Sequence, residues 1–266
     1  MKTIILTLAI ALLGITTFAQ TNKQSKKTHQ TIVIVPGAWS DPSAWAFVEP
    51  LLKAKGFDVI TVNLPGHGKD STSFANISLQ SYVDAVKTAI GEKDNIILVG
   101  HSMAGIIISQ VAEDMPGQIK KLVYVAAFLP KTGESLLTLA QTDADAHVGK
   151  YLQINKETGS ADIAKNGIID AFAADAPQPV QEIVVASVKA EPLAPLATPV
   201  NLTDARFGSV VKIYIHTLND HTVSYKLQQK MVAATNVKKE YSLNSSHTPF
   251  LSMPDKLAEI ISKEAK

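Results

Sequence analysis

Residues 95–105 read Asn-Ile-Ile-Leu-Val-Gly-His-Ser-Met-Ala-Gly, and their order decides the fold. The run Ile96, Ile97, Leu98, Val99 is short and largely β-branched, as a strand buried in a parallel sheet should be. It stops at Gly100-His101-Ser102-Met103-Ala104-Gly105. A second apolar run starts at Ile106 and continues through Val111 and Ala112 at helical spacing. Ser102 therefore stands on a sharp strand-to-helix turn, between small residues that let the backbone take a strained conformation. Its hydroxyl is pushed out at the carboxyl edge of the sheet, above a helix N-terminus whose free N–H groups suit a developing negative charge. That is the setting of a nucleophilic serine. Ala104 occupies the place of the second glycine in G-x-S-x-G, and as the next smallest residue it is expected to fit. The short motif alone matches often by chance. The strand before it and the helix after it give it weight.

Outward from this turn, strand and helix patterns alternate. Residues 31–35 form an apolar run ended by Pro36-Gly37. A helix is expected around 44–55, kinked or delayed by Pro50. A strand at 58–63 leads into Pro65-Gly66-His67-Gly68. Leu79, Tyr82, Val83, Val86 and Ile90 recur at helical spacing. After a strand at 121–126 the alternation stops. Residues 129–205 carry six prolines, Pro130, Pro177, Pro179, Pro192, Pro195 and Pro199, with short helical patterns between them. They read as an insertion lying over the sheet. Alternation resumes with a strand at 210–216, a helix at 225–234, a strand at 239–243 and a helix at 255–263. The expectation is an α/β fold, with a mostly parallel sheet of about six strands and helices on both faces. The core comprises 31–128 and 206–266, and the insertion is a small helical cap.

The 266 residues are 46% hydrophobic, enough for one large core, and the net charge of +1 gives no reason to expect a nucleic-acid partner. The chain has no cysteine, which excludes disulfides, thiolate nucleophiles and cysteine metal sites. Met1-Lys2, an apolar stretch to Phe18 and small residues at Thr17 and Ala19 read as a signal peptide over 1–19, with a polar tether over 20–30. Export to the periplasm or medium is the expectation, with no lasting membrane anchor.

A serine nucleophile needs a base, and the base an orienting acid. In a chain-order Ser…Asp/Glu…His arrangement both follow the serine. Among seven histidines, only His247, in Ser245-Ser246-His247-Thr248-Pro249, lies past the last strand and before the last helix. Asp220 is the best-placed acid, just after the 210–216 strand; Asp204, Asp143 and Asp145 are placed worse. Two backbone donors are needed for the oxyanion. Met103 N–H, directly after the nucleophile, is one; Ala38 N–H is the other, with Trp39 as the fallback. No metal is expected, since no histidine pair has ligand spacing on one helix, and no cofactor is implied.

Taken together the chain resembles the α/β-hydrolases, and within them the branch of plant methylesterases, hydroxynitrile lyases and bacterial esterase relatives. The carriers are residues 35–39 (Val-Pro-Gly-Ala-Trp), 63–68 (Asn-Leu-Pro-Gly-His-Gly), 99–105, 125–130 (Val-Ala-Ala-Phe-Leu-Pro), 191–196 (Glu-Pro-Leu-Ala-Pro-Leu), Asn219-Asp220 and Ser246-His247. The resemblance puts the triad on Ser102, Asp220 and His247, the oxyanion donors on Ala38 and Met103, and the cap on the proline-rich insertion. It implies a serine carboxylesterase acting on small, fairly apolar esters, as monomer or homodimer. Trp39, Phe128, Leu129, Leu136 and Phe172 are the expected pocket lining, with core packing as the other reading of each. Similar lyases carry Lys after the catalytic His and Thr in the oxyanion loop. Thr248 and Gly37 stand there instead, which favours hydrolysis over cyanide loss. A lyase-like enzyme and a slow-turnover ligand-binding protein remain the alternatives, since fold alone does not fix function.

Overall fold

The computed structural model describes residues 29–266. The expected leader and most of the tether lie outside the described residues. Nine strands occur among the described residues: β1 Thr31–Val35, β2 Asp58–Thr61, β3 Ile96–His101, β4 Ile119–Val125, β5 Leu152–Asn155, β6 Ser160–Ile163, β7 Glu191–Pro192, β8 Val211–Thr217 and β9 Lys239–Leu243. Six of them form the main sheet in the order β2-β1-β3-β4-β8-β9, with every neighbouring pair parallel. No helix among the described residues is long and apolar enough to cross a membrane.

The unbroken apolar runs have a simple cause. Successive side chains of a strand point to opposite faces, and here both faces are covered. Val33, Val35, Ile96, Leu98, Leu122, Tyr124 and Tyr214 pack into one core, with the helices Leu79–Ile90, Ala104–Asp114 and Tyr225–Ala233. Their neighbours Ile32, Ile34, Ile97, Val99, Val123, Val125, Ile213 and Ile215 pack into the other, with Trp45, Phe250 and the closing helix Pro254–Ala265. Strand order reverses between β1 and β3. A crevice outside the carboxyl ends of strands at such a switch point is the usual binding place in an open α/β sheet. The loops after β1 and β3 meet there.

Pro50 does not kink a long helix. The chain makes a 3₁₀ turn over Pro42–Trp45 and starts the helix at Glu49–Ala54 with Pro50 in its first turn, where a missing N–H costs nothing. Between β4 and β8 the insertion is not purely helical, contrary to the expectation. Helices such as Ile168–Phe172 and Gln178–Ser187 accompany a small antiparallel sheet, β5-β6-β7. β5 is Leu-Gln-Ile-Asn and mostly exposed, so its sequence carries no buried alternation. Its turn is made locally: the Asn155 side chain accepts from Glu157 N–H and Thr158 N–H, and Gly159 takes φ +63°. The insertion has its own core around Ile163, Ile168, Ala171, Phe172 and Val184.

Candidate active site

Ser102 takes φ +54°, the left-handed region that a residue with a Cβ enters only under constraint. The constraint is visible. Ser102 N–H donates to Val125 O at 3.2 Å, and Ser102 O accepts from Gly105 N–H and Phe128 N–H, both at 3.1 Å. The elbow is thus clamped to the end of β4. The close approach of helix to strand falls on Gly105 rather than on position 104. A Cβ on Gly105 would lie 2.0 Å from Phe128 O, an impossible contact with backbone. Ala104 is accommodated because the glycine one residue later takes the crowding. Gly105→Ala is expected to destabilise the fold by about 1–3 kcal/mol, the usual cost of overpacking. A urea denaturation curve of that variant beside the parent measures it.

His247 stands opposite, on the loop after β9. Its Nδ1 lies 2.9 Å from Asp220 Oδ2 and 3.1 Å from Oδ1, with both side chains essentially out of solvent. Among the described residues its Nε2 has no hydrogen-bond partner. Ser102 and His247 are not yet hydrogen-bonded, and such bonds often tighten only with substrate in place. Asp220 is held firmly. Oδ1 accepts from Thr222 N–H and Val223 N–H, and Oδ2 from Thr217 Oγ1 and Gln228 Nε2. The backbone of His247 is braced from below, where His101 Nε2 donates to its carbonyl at 2.9 Å. Burial first, and the neighbouring His247 ring second, hold the His101 pKa well below its ordinary 6.5, so this imidazole is neutral.

The loop after β1 lies directly against the elbow. A Cβ on Gly37 would be 2.7 Å from His101 Nδ1 and 2.9 Å from Ser102 Cβ, so only glycine lets the two backbones meet. Neither Ala38 N–H nor Met103 N–H donates a hydrogen bond among the described residues. Trp39, the fallback donor, is spent: its N–H donates to Glu191 Oε2 at 2.9 Å. Glu191 is completely buried and also receives Tyr82 OH at 2.9 Å, while its Oε2 pairs with His67 Nε2 at 2.8 Å. His67 Nδ1 donates to Pro65 O at 3.0 Å. Both ring nitrogens of His67 are thus engaged, one of them by the Glu191 carboxylate. Burial alone would lower the His67 pKa, but the hydrogen bond and charge of Glu191 outweigh it and raise the pKa above 6.5. Trp39 itself is held at φ +59°, and its indole N–H reaches Ala161 O in β6 at 2.8 Å. Glu191 and His67 thus fix the loop that carries Ala38. The sequence held one cue to them, a lone acid in the apolar stretch 190–196.

A cavity of about 250 Å³ opens between these loops and the helix Gln178–Ser187. It reaches Ala38, His101 and His247, and among the described residues no Lys, Arg, Asp or Glu lines it. Trp39 and Phe172 line it. Phe128, Leu129 and Leu136 do not: all three are buried in the main core. Leu129 N–H donates to Met231 Sδ, and Leu129 lines a separate depression with residues of the helix Tyr225–Ala233. The positions that replace them, Val184 on the insertion helix, Val188 just past its end, and Phe250 and Leu251 after His247, could be found only from the tertiary fold. The histidines dispersed along the chain also converge in one place that helical spacing could not reveal. His147 and His221 both face Asp170.

This fold and this elbow define an α/β-hydrolase. The chain belongs to the alpha/beta hydrolase family, whose model matches residues 32–260. It is 32% identical over 245 residues to putative methylesterase 11, chloroplastic, of Arabidopsis thaliana, a match covering 86% of this chain and 61% of that protein. It is 26% identical over 246 residues to the pyrethroid hydrolase of Sphingobium wenxiniae, covering 86% of this chain and 85% of that protein. The crystal structure of a pyrethroid hydrolase from Sphingobium faniae JZ-2 superposes with a TM-score of 0.80 at 25% identity, over 90% of this chain and 98% of that one. The chain spans only 61%, 57% and 53% of the lengths of three chloroplastic methylesterases that it matches.

Proposed function

We propose that this protein is an exported serine carboxylesterase for small, fairly apolar esters. The observation that carries the reading is the juxtaposition of a strained Ser102, a buried His247–Asp220 pair and two unengaged backbone N–H groups at the switch point. Ser102 Oγ attacks the ester carbonyl carbon while His247 Nε2 takes its proton. Asp220 keeps the other ring proton on Nδ1 and stabilises the imidazolium. Ala38 N–H and Met103 N–H receive the tetrahedral oxyanion, which such fixed donors stabilise more than the ground-state carbonyl. His247 returns the proton to the departing alcohol. Water then attacks the acyl-enzyme with His247 again as base, and Ser102 is released with the free acid.

The cavity supports the substrate class. Its volume of about 250 Å³ sits just below the roughly 300–1,000 Å³ of drug-sized sites. Its uncharged lining suits an apolar acyl or alcohol group. Thr248, the residue after His247, has its hydroxyl tied to Phe172 O at 2.5 Å, so no cation stands there to stabilise a leaving cyanide. A relative named as a methylesterase supports ester cleavage, and one named as a pyrethroid hydrolase supports hydrolysis.

The test is hydrolysis of p-nitrophenyl acetate and butyrate by the chain without its expected leader. Turnover should fall by at least about three orders of magnitude in Ser102→Ala and in His247→Ala. A folded parent no faster than Ser102→Ala would overturn the proposal.

A further inference from the structure

Outside the site just described, three ligand-type side chains from distant parts of the chain meet at the seam between insertion and core. His147 precedes the helix Val148–Tyr151, Asp170 lies in Ile168–Phe172, and His221 directly follows Asp220. His147 Nδ1 lies 3.0 and 3.3 Å from the two Asp170 carboxylate oxygens, and His221 Nδ1 lies 2.8 Å from Oδ1. The three donor atoms all fall within 4.8 Å of one another. The imidazole rings face each other at 4.2 Å.

We propose that His147, Asp170 and His221 form a binding site for one divalent transition-metal ion of the zinc type. Metal–ligand bonds of about 2.0–2.1 Å in a tetrahedron place ligand atoms about 3.3 Å apart. The nitrogen-to-oxygen separations here, 2.8–3.3 Å, need only a slight opening to admit the ion. Two imidazoles and one carboxylate select zinc, cobalt, nickel or copper over magnesium and calcium, which require oxygen ligands. Each side chain is about one-third exposed, so an ion can enter and a water can complete the fourth position. On binding, each neutral imidazole carries its proton on Nε2 and offers the Nδ1 lone pair, with no change of redox state.

The surroundings support a prepared site. Tyr151 OH donates to Asp170 Oδ2 at 3.0 Å and orients the carboxylate, the part that outer partners play around metal ligands. His147 N–H donates to His221 O at 2.7 Å, which fixes the two histidine segments side by side before any ion arrives. The ion would staple the insertion to the segment that carries Asp220. Binding to the folded chain alone would raise its stability by mass action. The inference is independent of the esterase reading, since none of the three residues lines the cavity.

The experiment is calorimetric titration of ZnCl₂ into the purified protein, prepared without a histidine tag, stripped with EDTA and dialysed. One zinc per chain at low-micromolar or tighter Kd is expected. Affinity should fall by about 10- to 100-fold in Asp170→Asn and vanish in the His147→Ala/His221→Ala double variant. Cobalt substitution should give the intense visible bands of a four-coordinate ion. Asp170→Asn preserves shape, so loss of binding there with an unchanged melting curve is not unfolding. The absence of stoichiometric zinc binding, or binding untouched by both variants, would overturn the proposal.

Discussion

Asp220→Asn is expected to lower kcat for ester hydrolysis by about four orders of magnitude while leaving the protein folded. The reason lies in the donors around the carboxylate. Oδ1 faces two backbone N–H groups, from Thr222 and Val223, so the asparagine carbonyl must take that place. Its NH₂ then faces Thr217 Oγ1, Gln228 Nε2 and His247 Nδ1. His247 has to accept at Nδ1 and carry its proton on Nε2. In that tautomer it cannot receive the proton of Ser102. Gln228 Nε2 keeps its bonds to Thr217 O and Val223 O, and the Thr217 hydroxyl can turn to accept from the new NH₂, so the stability loss should be modest beside the loss of rate. Parallel kinetics and thermal melts separate the two effects. A variant that keeps near-parental kcat would remove Asp220 from the mechanism.

Glu191→Ala should produce the largest loss of stability, about 3–5 kcal/mol, because it breaks a fully buried pair and leaves His67, Tyr82 OH and Trp39 N–H without their acceptor. For a chain of this size that corresponds to roughly 10 °C in Tm. The effect should also reach the chemistry. Trp39 N–H is anchored by Glu191, and Ala38 is its neighbour in the chain. With the anchor gone the Ala38 donor drifts, and kcat should fall by about two orders of magnitude with KM changed far less. A purely structural role predicts the lower Tm without that split.

Glu191→Gln adds a signature in pH. The His67 pKa is raised in the folded state, so its pairing with Glu191 contributes stability that is full below about 6.5 and is lost as pH rises through the raised value. The advantage of the parent over Glu191→Gln in Tm should therefore be largest in mildly acidic buffer and shrink toward alkaline pH. His101 acts in the opposite direction. Its depressed pKa means that stability falls as pH drops below about 6.5. A comparison confined to the two proteins cancels this second effect.

The six-strand core could be read from the chain because its apolar runs answer to one cause. A strand covered on both faces must be apolar at consecutive positions, and β1, β3, β4 and β8 all are. The Ser102 elbow was legible for a related reason, since a sharp turn between strand and helix needs small neighbours in fixed order. Chain order then brought His247 and Asp220 forward, and the two are paired in space. What sequence reasoning missed is what depends on contacts between remote segments. β5 and β6 are short, partly polar and set by a local Asn155 turn rather than by a buried face. Phe128, Leu129 and Leu136 are apolar and follow β4, but all three pack into the main core and away from the cavity. Glu191, His67 and Tyr82 lie far apart in sequence, and nothing in their spacing announces a shared buried charge. His147, Asp170 and His221 are hidden for the same reason.

The central claim is that Ser102 is an activated nucleophile. Its most direct measurement is reaction with a fluorophosphonate, followed by peptide mass spectrometry of the labelled protein. One adduct per chain on Ser102, formed much more slowly in His247→Ala, is the result expected. An adduct on another residue, or none from a folded protein that still hydrolyses esters, would contradict it.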